Sequence, residues 1–422
     1  MEFKQLSDHD YRTFVSGQER CFYTQLPEYG DVRESEGFSV ERVGLLQEGT
    51  IRGVATIVYQ PWKKFFRRAV VPYGPVLDWQ DEDLVLSFFE ELRGWVAKDK
   101  RVLALRVNPL VERRSYSDIT PGSTNDEART FERAMEMLEA ERLEKEFYDS
   151  SDVQVRFAYV KDLDGMDYQA AVASCHQMVR TAFRKAGTNG VEIKFLGPED
   201  FDVLEKVLAH TADRTDMEEV SQAAASYYRE LMNRMGPEGM LMPVAILNCP
   251  QALQLIADER QEVESKTATL ETAERSAQAE GRQLGKKQRN QLKEARSRLE
   301  VLDRREKETL QIRGEHGDEI VLAASLFVHS PHELVYLLSG SYAQFQSYNG
   351  IYLIHRAMFE WAFEHDVRWY NMFGITGDFS NEASDAGVLH FKRQFNGNVE
   401  EYVGTYDVPL RKRLAPALNA VG

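Results

Sequence analysis

From Gln251 to Gly314 the chain runs without a proline through a composition dominated by Ala, Glu, Gln, Lys and Arg. No other segment restricts the fold as tightly. Such side chains lose little rotamer freedom in a helix, so a long helix is the natural state for them. Leu253, Ile256, Val263, Thr267, Leu270 and Ala277 follow an alternating three-four spacing, interrupted by Arg260 and Glu274, and Leu292, Ala295, Leu299, Leu302 and Leu310 nearly repeat it. Each stretch therefore has one apolar seam. Gly281 and Gly285 flank the reversal, and the spacing predicts an antiparallel helical hairpin, a coiled-coil arm over 251–314.

The two halves of the arm differ in charge. The outgoing half is mostly acidic, whereas Arg282 to Arg305 is mostly basic. A solvated coiled coil, serving as a spacer or dimer contact, accounts for this without any ligand. The other reading is that the tip and return helix, through Lys286, Lys287, Arg289 and Lys293, meet phosphate. The formal net charge of −16 makes the chain too acidic to coat nucleic acid with its whole surface, so any polyanion must be met by local patches.

The flanks read as α+β. Val40–Leu46 and Ile51–Val58 predict a hairpin, Glu82–Lys98 a helix and Val102–Val107 a strand. The same order recurs with a helix over 168–185, a strand over 191–195, a helix to His210, strands over 320–328 and 333–338, a helix over 349–365 and a strand from Trp369 to Phe373. At 422 residues one core is too few. The expected division is 1–145 and 146–395, the arm interrupting the second unit and 396–422 packing back on the first. Cys21, Cys175 and Cys249 form no CxxC pair, which suggests neither a disulfide framework nor a zinc site. The N-terminus reads as no signal peptide and no apolar run is long enough to span a bilayer, so a cytoplasmic location is expected.

Several segments then look familiar as a set: Phe22-Tyr23-Thr24-Gln25, Tyr73-Gly74-Pro75-Val76-Leu77-Asp78, the arm, Trp369-Tyr370-Asn371-Met372-Phe373-Gly374-Ile375-Thr376-Gly377, and Asp385-Ala386-Gly387-Val388-Leu389-His390-Phe391-Lys392. In this order, over nearly the whole chain, they resemble the FemABX family of transfer-RNA-dependent peptidyltransferases. The resemblance implies two acetyltransferase (GNAT)-like domains with the antiparallel coiled-coil arm inserted in the second. It implies an aminoacyltransferase whose donor is aminoacyl-tRNA, with no metal or redox cofactor. The acceptor would be an amine of a peptidoglycan precursor: lipid II, since arm-bearing members are similar to the enzymes that modify lipid-linked precursors, or the UDP-linked pentapeptide. Peripheral contact with the inner face of the membrane and association with other bridge-forming aminoacyltransferases are further implications.

Transfer from an ester to an amine needs a neutral nucleophile, a stabilised oxyanion and a proton for the departing hydroxyl. Lys392 matches the lysine of the family's Phe-Lys motif, with Phe391 before it, and would stabilise the charge; its bland alternative is a surface lysine. Asp385 would orient Lys392 or the amine, or else cap the helix after it. Arg33 and Arg214 map onto the diphosphate grip, where a guanidinium fork suits phosphate, against the alternative of ordinary surface ion pairs. Tyr227 and Tyr228 offer stacking faces or core packing. Asn108, in Val107-Asn108-Pro109, stands where many relatives carry Asp, which excludes a carboxylate base there. His355 and His365 are assigned to no metal. Two other functions stay open: a coenzyme-A-dependent N-acyltransferase, whose pyrophosphate loop is absent by inspection, and a non-catalytic scaffold that binds precursor.

Overall fold

The computed structural model describes residues 1–63, 65–143, 154–213 and 220–411. Two sheets organise them. The first runs in the order Glu2–Gln5, Ser39–Gln47, Thr50–Trp62, Phe66–Tyr73, Val102–Pro109, Tyr406–Pro409 and Glu141–Arg142, with Val76–Leu77 folding back on Thr50–Trp62. The second runs Val191–Leu196, Met240–Asn248, Glu319–Ser330, Glu333–Ser341, Trp369–Ile375, Phe157–Asp162, Asn398–Tyr402, Glu112–Ser117 and Thr120–Thr124. Each contains one parallel pair, Phe66–Tyr73 with Val102–Pro109 and Glu333–Ser341 with Trp369–Ile375.

The strands form where β-branched and aromatic residues alternate or cluster, and the helices beside them present one apolar stripe. Glu82–Val96 is capped by the Asp81 carboxylate, which accepts from Leu84 N, and buries Leu84, Phe88, Leu92 and Val96 against the first sheet. Gly350–Glu364 does the same for the second sheet with Leu353, Ile354, Met358 and Phe359.

Sheet membership differs from the expected division. Glu112–Ser117 and Thr120–Thr124, within 1–145, belong to the second sheet, as does Asn398–Tyr402; among the described residues of 396–422, Tyr406–Pro409 alone returns to the first, and 412–422 lie outside the described residues. The cause is the buried Glu401 carboxylate, which accepts from Arg113 Nη1 at 3.0 Å, Tyr116 OH at 3.0 Å and Arg156 Nη2 at 2.7 Å. A buried charge has to be paired, and this one ties 112–117 to 398–402. The helix expected over 168–185 is two, Tyr168–Ser174 and Gln177–Arg184, separated at Cys175, whose backbone is extended.

The arm consists of Cys249–Ala279 and Lys286–His316, with the reversal at Gly281, where φ is +67°, and Gly285. Ile256, Thr267, Leu270, Leu292, Ala295 and Leu302 are buried in its seam. Leu310, expected there too, is half exposed; Thr309 is buried in its place, because by that point the return helix has reached the second domain's core, where Ile312 packs. The arm's root is held by Arg305 Nη2 donating to Thr188 O at 3.2 Å. It also sits close on Gly190, where a Cβ would lie 2.5 Å from that of Ala252.

Candidate active site

The parallel pair of the second sheet is in register only at Glu333↔Trp369, Leu334↔Tyr370 and Val335↔Asn371. Beyond Asn371 the two strands keep only their other neighbours. The parallel pair of the first sheet, by contrast, stays paired from Arg67↔Val102 to Tyr73↔Pro109. Only the second sheet opens, and strand carbonyls left without a ladder need donors.

Lys392 supplies them. From the helix Ala386–Arg393 its Nζ donates to Phe373 O at 3.1 Å and Gly374 O at 2.6 Å. The side chain is not a surface lysine: the residue is 5% exposed. Burial pushes its pKa down to about 7, with the Asp385 charge opposing. A protonated lysine has three N–H donors, so one is left for a reacting group. A neutral amine in the same place has spent both and keeps a lone pair.

The turn that carries these carbonyls is itself built. Phe373 has φ +61°, a conformation that bulky residues avoid. Its N–H is held by Asn371 Oδ1 at 2.7 Å, and Asn371 Nδ2 donates to Glu333 Oε1 at 2.8 Å. Glu333 is fully buried. Its Oε1 also accepts from Arg20 Nε at 3.2 Å and Nη2 at 2.5 Å, while Arg20 Nη1 reaches Glu400 Oε2 at 2.8 Å. The N-terminal segment thus reaches into the second sheet, and two residues on, Phe22 stacks on Phe373 at 5.9 Å and meets Tyr73 at 4.1 Å.

Asp385 lies at the N-terminus of the lysine's helix but makes no side-chain cap. Its carboxylate accepts from Thr376 N and Thr376 Oγ1, both at 2.7 Å, closing the Gly374–Asp385 loop onto itself. No hydrogen bond joins it to Lys392, so it acts there through charge alone. Phe391 packs in the core between Tyr352, at 5.5 Å, and the His355 ring, at 5.6 Å. His355 accepts from or donates to Tyr370 OH through Nδ1 at 2.7 Å, while its Nε2 is buried without a partner. Burial, and then the Lys392 charge, lower its pKa to about 3, so it is neutral.

Arg33 lies elsewhere, on the helix Pro27–Ser35 of the first domain's edge. It pairs with Glu36 at 2.6 Å and lies over Phe38 at 4.2 Å and Tyr227 at 5.9 Å. Its Nε is buried with no hydrogen-bond partner. Tyr227 and Tyr228 meet edge to face at 5.1 Å, and burial holds the Tyr227 hydroxyl well above its ordinary pKa. Arg33 and the tyrosine pair are thus brought together; Arg214 lies outside the described residues. Asn108, buried beside Pro72, has an Oδ1 without a partner. The Phe22–Gln25 and Tyr73–Pro75 segments meet because Thr24 Oγ1 and Gln25 Nε2 both donate to Pro72 O, at 2.7 and 2.8 Å, and Gln25 fills the space a Cβ on Gly74 would need.

On the arm, pairing sorts the cations. Arg260 joins Asp303 and Glu306, Arg296 joins Glu271 at 2.8 Å, and Arg298 joins Glu259 at 2.5 Å. Lys286, Lys287, Arg289 and Lys293 are exposed and make no ion pair among the described residues. The basic surplus that survives is at the tip. Of the residues that shape the site, sequence reasoning missed Arg20 and Glu333; Asn371 and Thr376 stood in a quoted motif without a role.

The chain is therefore an α+β protein built on two sheets, the second opened around a buried lysine and interrupted by a helical arm. The model of the FemAB family matches residues 6–422, and the chain belongs to that family. Its relatives include the aminoacyltransferase FemA of Staphylococcus epidermidis, 25% identical over 98% of this chain and 97% of that one. The aminoacyltransferase FemA of Staphylococcus aureus is 26% identical over 100% and 98%. The crystal structure of FemX superposes with a TM-score of 0.81 at 17% identity, covering 99% of each chain. Membership makes the chain an aminoacyltransferase.

Proposed function

We propose that the chain takes an amino acid from its ester on transfer RNA and places it on an amine of a peptidoglycan precursor, building the interpeptide bridge. Lipid II is the acceptor, met at the inner face of the membrane. The observation that carries the chemistry is Lys392, buried where the parallel pair opens, with two donors on Phe373 O and Gly374 O. Its third N–H stabilises the oxyanion formed on the ester carbonyl. Such a donor is fixed before reaction and strengthened by the low local dielectric. Asp385 keeps part of the lysine charged, while Asn108 contributes an amide rather than a base. Arg33 grips the precursor's diphosphate, exchanging Glu36 for phosphate, with Arg214 as its counterpart, and Tyr227 and Tyr228 form the wall beside it. Phe391 holds the motif in register from the core side.

Purified chain incubated with each charged transfer RNA and lipid II should place an amino acid on the stem peptide. No product from any charged transfer RNA, with precursor still bound, overturns the reading. The acceptor is checked by the same assay with the UDP-linked pentapeptide.

A second reading concerns the proton. With a pKa near 7, Lys392 is divided between ammonium and amine at neutral pH, and the amine would take the nucleophile's proton that Asn108 cannot. The two roles have opposite signs. If the ammonium is needed, single-turnover transfer falls as pH rises through about 7, and Lys392→Met lacks that falling limb. A limb rising through the same pH, and absent from the variant, assigns the lysine as base.

At the arm tip, Lys286, Lys287, Arg289 and Lys293 carry the transfer RNA. Lys286→Gln, Lys287→Gln and Arg289→Gln together should lower the slope of log affinity against log salt by roughly 2–3. An unchanged slope returns the arm to a spacer or dimer contact.

A further inference from the structure

The strands Thr50–Trp62 and Phe66–Tyr73 are joined by a tip that reads Trp62-Lys63-Lys64-Phe65-Phe66-Arg67-Arg68, with no acid among these residues in a chain of net charge −16; Lys64 is outside the described residues. Phe65 is 74% exposed, the most exposed of the large hydrophobic residues described. A polar turn costs nothing at a hairpin tip, whereas two adjacent phenylalanines there do. The cations surround the aromatics: Lys63 Nζ and Arg68 Cζ lie 5.2 and 4.6 Å from the Trp62 ring. Exposed Lys98 and Lys100 stand on the adjoining turn, where Arg67 N donates to Arg101 O at 2.9 Å. The only acid on that turn, Asp99, is taken by Arg101.

The tip also has a definite place relative to Arg33. Phe38, which stacks on Arg33 at 4.2 Å, is followed by Ser39, whose Oγ accepts from Arg67 Nη1 at 3.4 Å. The aromatic tip and the diphosphate grip therefore share one end of the first sheet. A lipid-linked diphosphate lies in the headgroup layer, so the residue that holds it cannot be far from the bilayer.

We infer that the hairpin tip around Trp62, Lys63, Phe65, Arg67 and Arg68 docks on an anionic bilayer surface, the aromatics entering the interface and the cations facing acidic headgroups. Aromatic rings settle at the headgroup level and each nearby cation adds to the attraction. An RNA partner fits less well, because Lys63 and Arg68 already lie on the Trp62 ring where a base would stack. The orientation towards the bilayer rests on the reading of Arg33 as the diphosphate grip; the binding itself does not.

Flotation of the full chain with precursor-free vesicles tests it. The native chain should float with vesicles of equal parts phosphatidylcholine and phosphatidylglycerol, and much less with phosphatidylcholine alone or in high salt. Phe65→Ser with Lys63→Glu should bind about tenfold more weakly or worse, and Phe65→Ser alone should fall between. Transfer to lipid II dispersed in neutral detergent, scored in parallel, should be the same in all three. Flotation that is absent, or equal in native chain and variants, overturns the proposal. So does a loss of transfer-RNA binding with vesicle binding kept, which makes the tip an RNA contact. Because the vesicles hold no precursor, a chain that floats but transfers nothing leaves this docking standing and removes only the function proposed above.

Discussion

Lys392→Met should lower single-turnover transfer by about two to three orders of magnitude, the cost of losing one fixed oxyanion donor, while precursor affinity stays within about twofold. The asymmetry follows from where the ammonium sits. Two of its donors are already committed to Phe373 O and Gly374 O, so its contribution to a ground-state carbonyl is one hydrogen bond, and its contribution to an oxyanion is one hydrogen bond plus a charge in a water-poor gap. Stability separates this from general damage. Met removes a buried group whose charged form burial disfavours, but it leaves two carbonyls without a donor, a cost of roughly 1–3 kcal/mol for each fully buried one. These effects oppose each other, so the melting temperature should move by only a few degrees. Equal losses in binding and rate would place Lys392 in the binding set instead. Lys392→Arg is a useful companion: the charge is kept, but a planar fork cannot reproduce the two carbonyl bonds and the third donor together, and most of the rate should still be lost.

Much of this is legible in the sequence. The arm is written in the spacing of Ile256, Thr267, Leu270, Leu292, Ala295 and Leu302, because a two-helix seam is a local pattern repeated many times. The strands and the helices over 82–96 and 350–364 declare themselves for the same reason. Lys392 could be singled out only through resemblance, since nothing in Phe391-Lys392-Arg393 distinguishes a buried ammonium from a surface one. What the sequence hid is non-local pairing. Glu401 looks like any strand-end acid until Arg113, Tyr116 and Arg156 are seen converging on it, and with that pairing goes the sheet to which 112–124 belongs. Leu310 continued the apolar spacing of the return helix, yet the arm had already reached the second domain, so the pattern outlived its partner. The basic return helix read as one patch, but cross-arm pairs neutralise Arg296 and Arg298 and leave the tip cations exposed.

The largest loss of stability is expected at a residue with no sequence signal at all. Arg20 stands 313 positions from Glu333 in the chain, and its guanidinium supplies two of the three donors that Glu333 Oε1 accepts. Removing it in Arg20→Met strands a fully buried carboxylate with one amide donor, at a cost of about 3–5 kcal/mol, read as a lower denaturant midpoint. If Arg20 served only to neutralise the acids it pairs with, Glu333 and Glu400, then Arg20→Met with Glu333→Leu and Glu400→Gln, which leaves no charge to strand, would restore stability and activity together. The geometry says otherwise. Glu333 Oε1 is what orients the Asn371 amide, and Asn371 Oδ1 holds the N–H of Phe373, whose carbonyl is one of the two that place the lysine. In this triple variant the midpoint should recover to within about 1 kcal/mol, yet kcat should remain roughly tenfold down or more with KM little changed, because Asn371 is free to turn and the left-handed backbone at Phe373 loses its clamp. Full recovery of kcat with stability would make the Arg20–Glu333 pair a plain structural tie. A depressed kcat on a restored fold makes Glu333 the positioning residue, with Arg20 holding it in place, so that the N-terminal segment bearing Phe22 and Arg33 is tied to the geometry of Lys392.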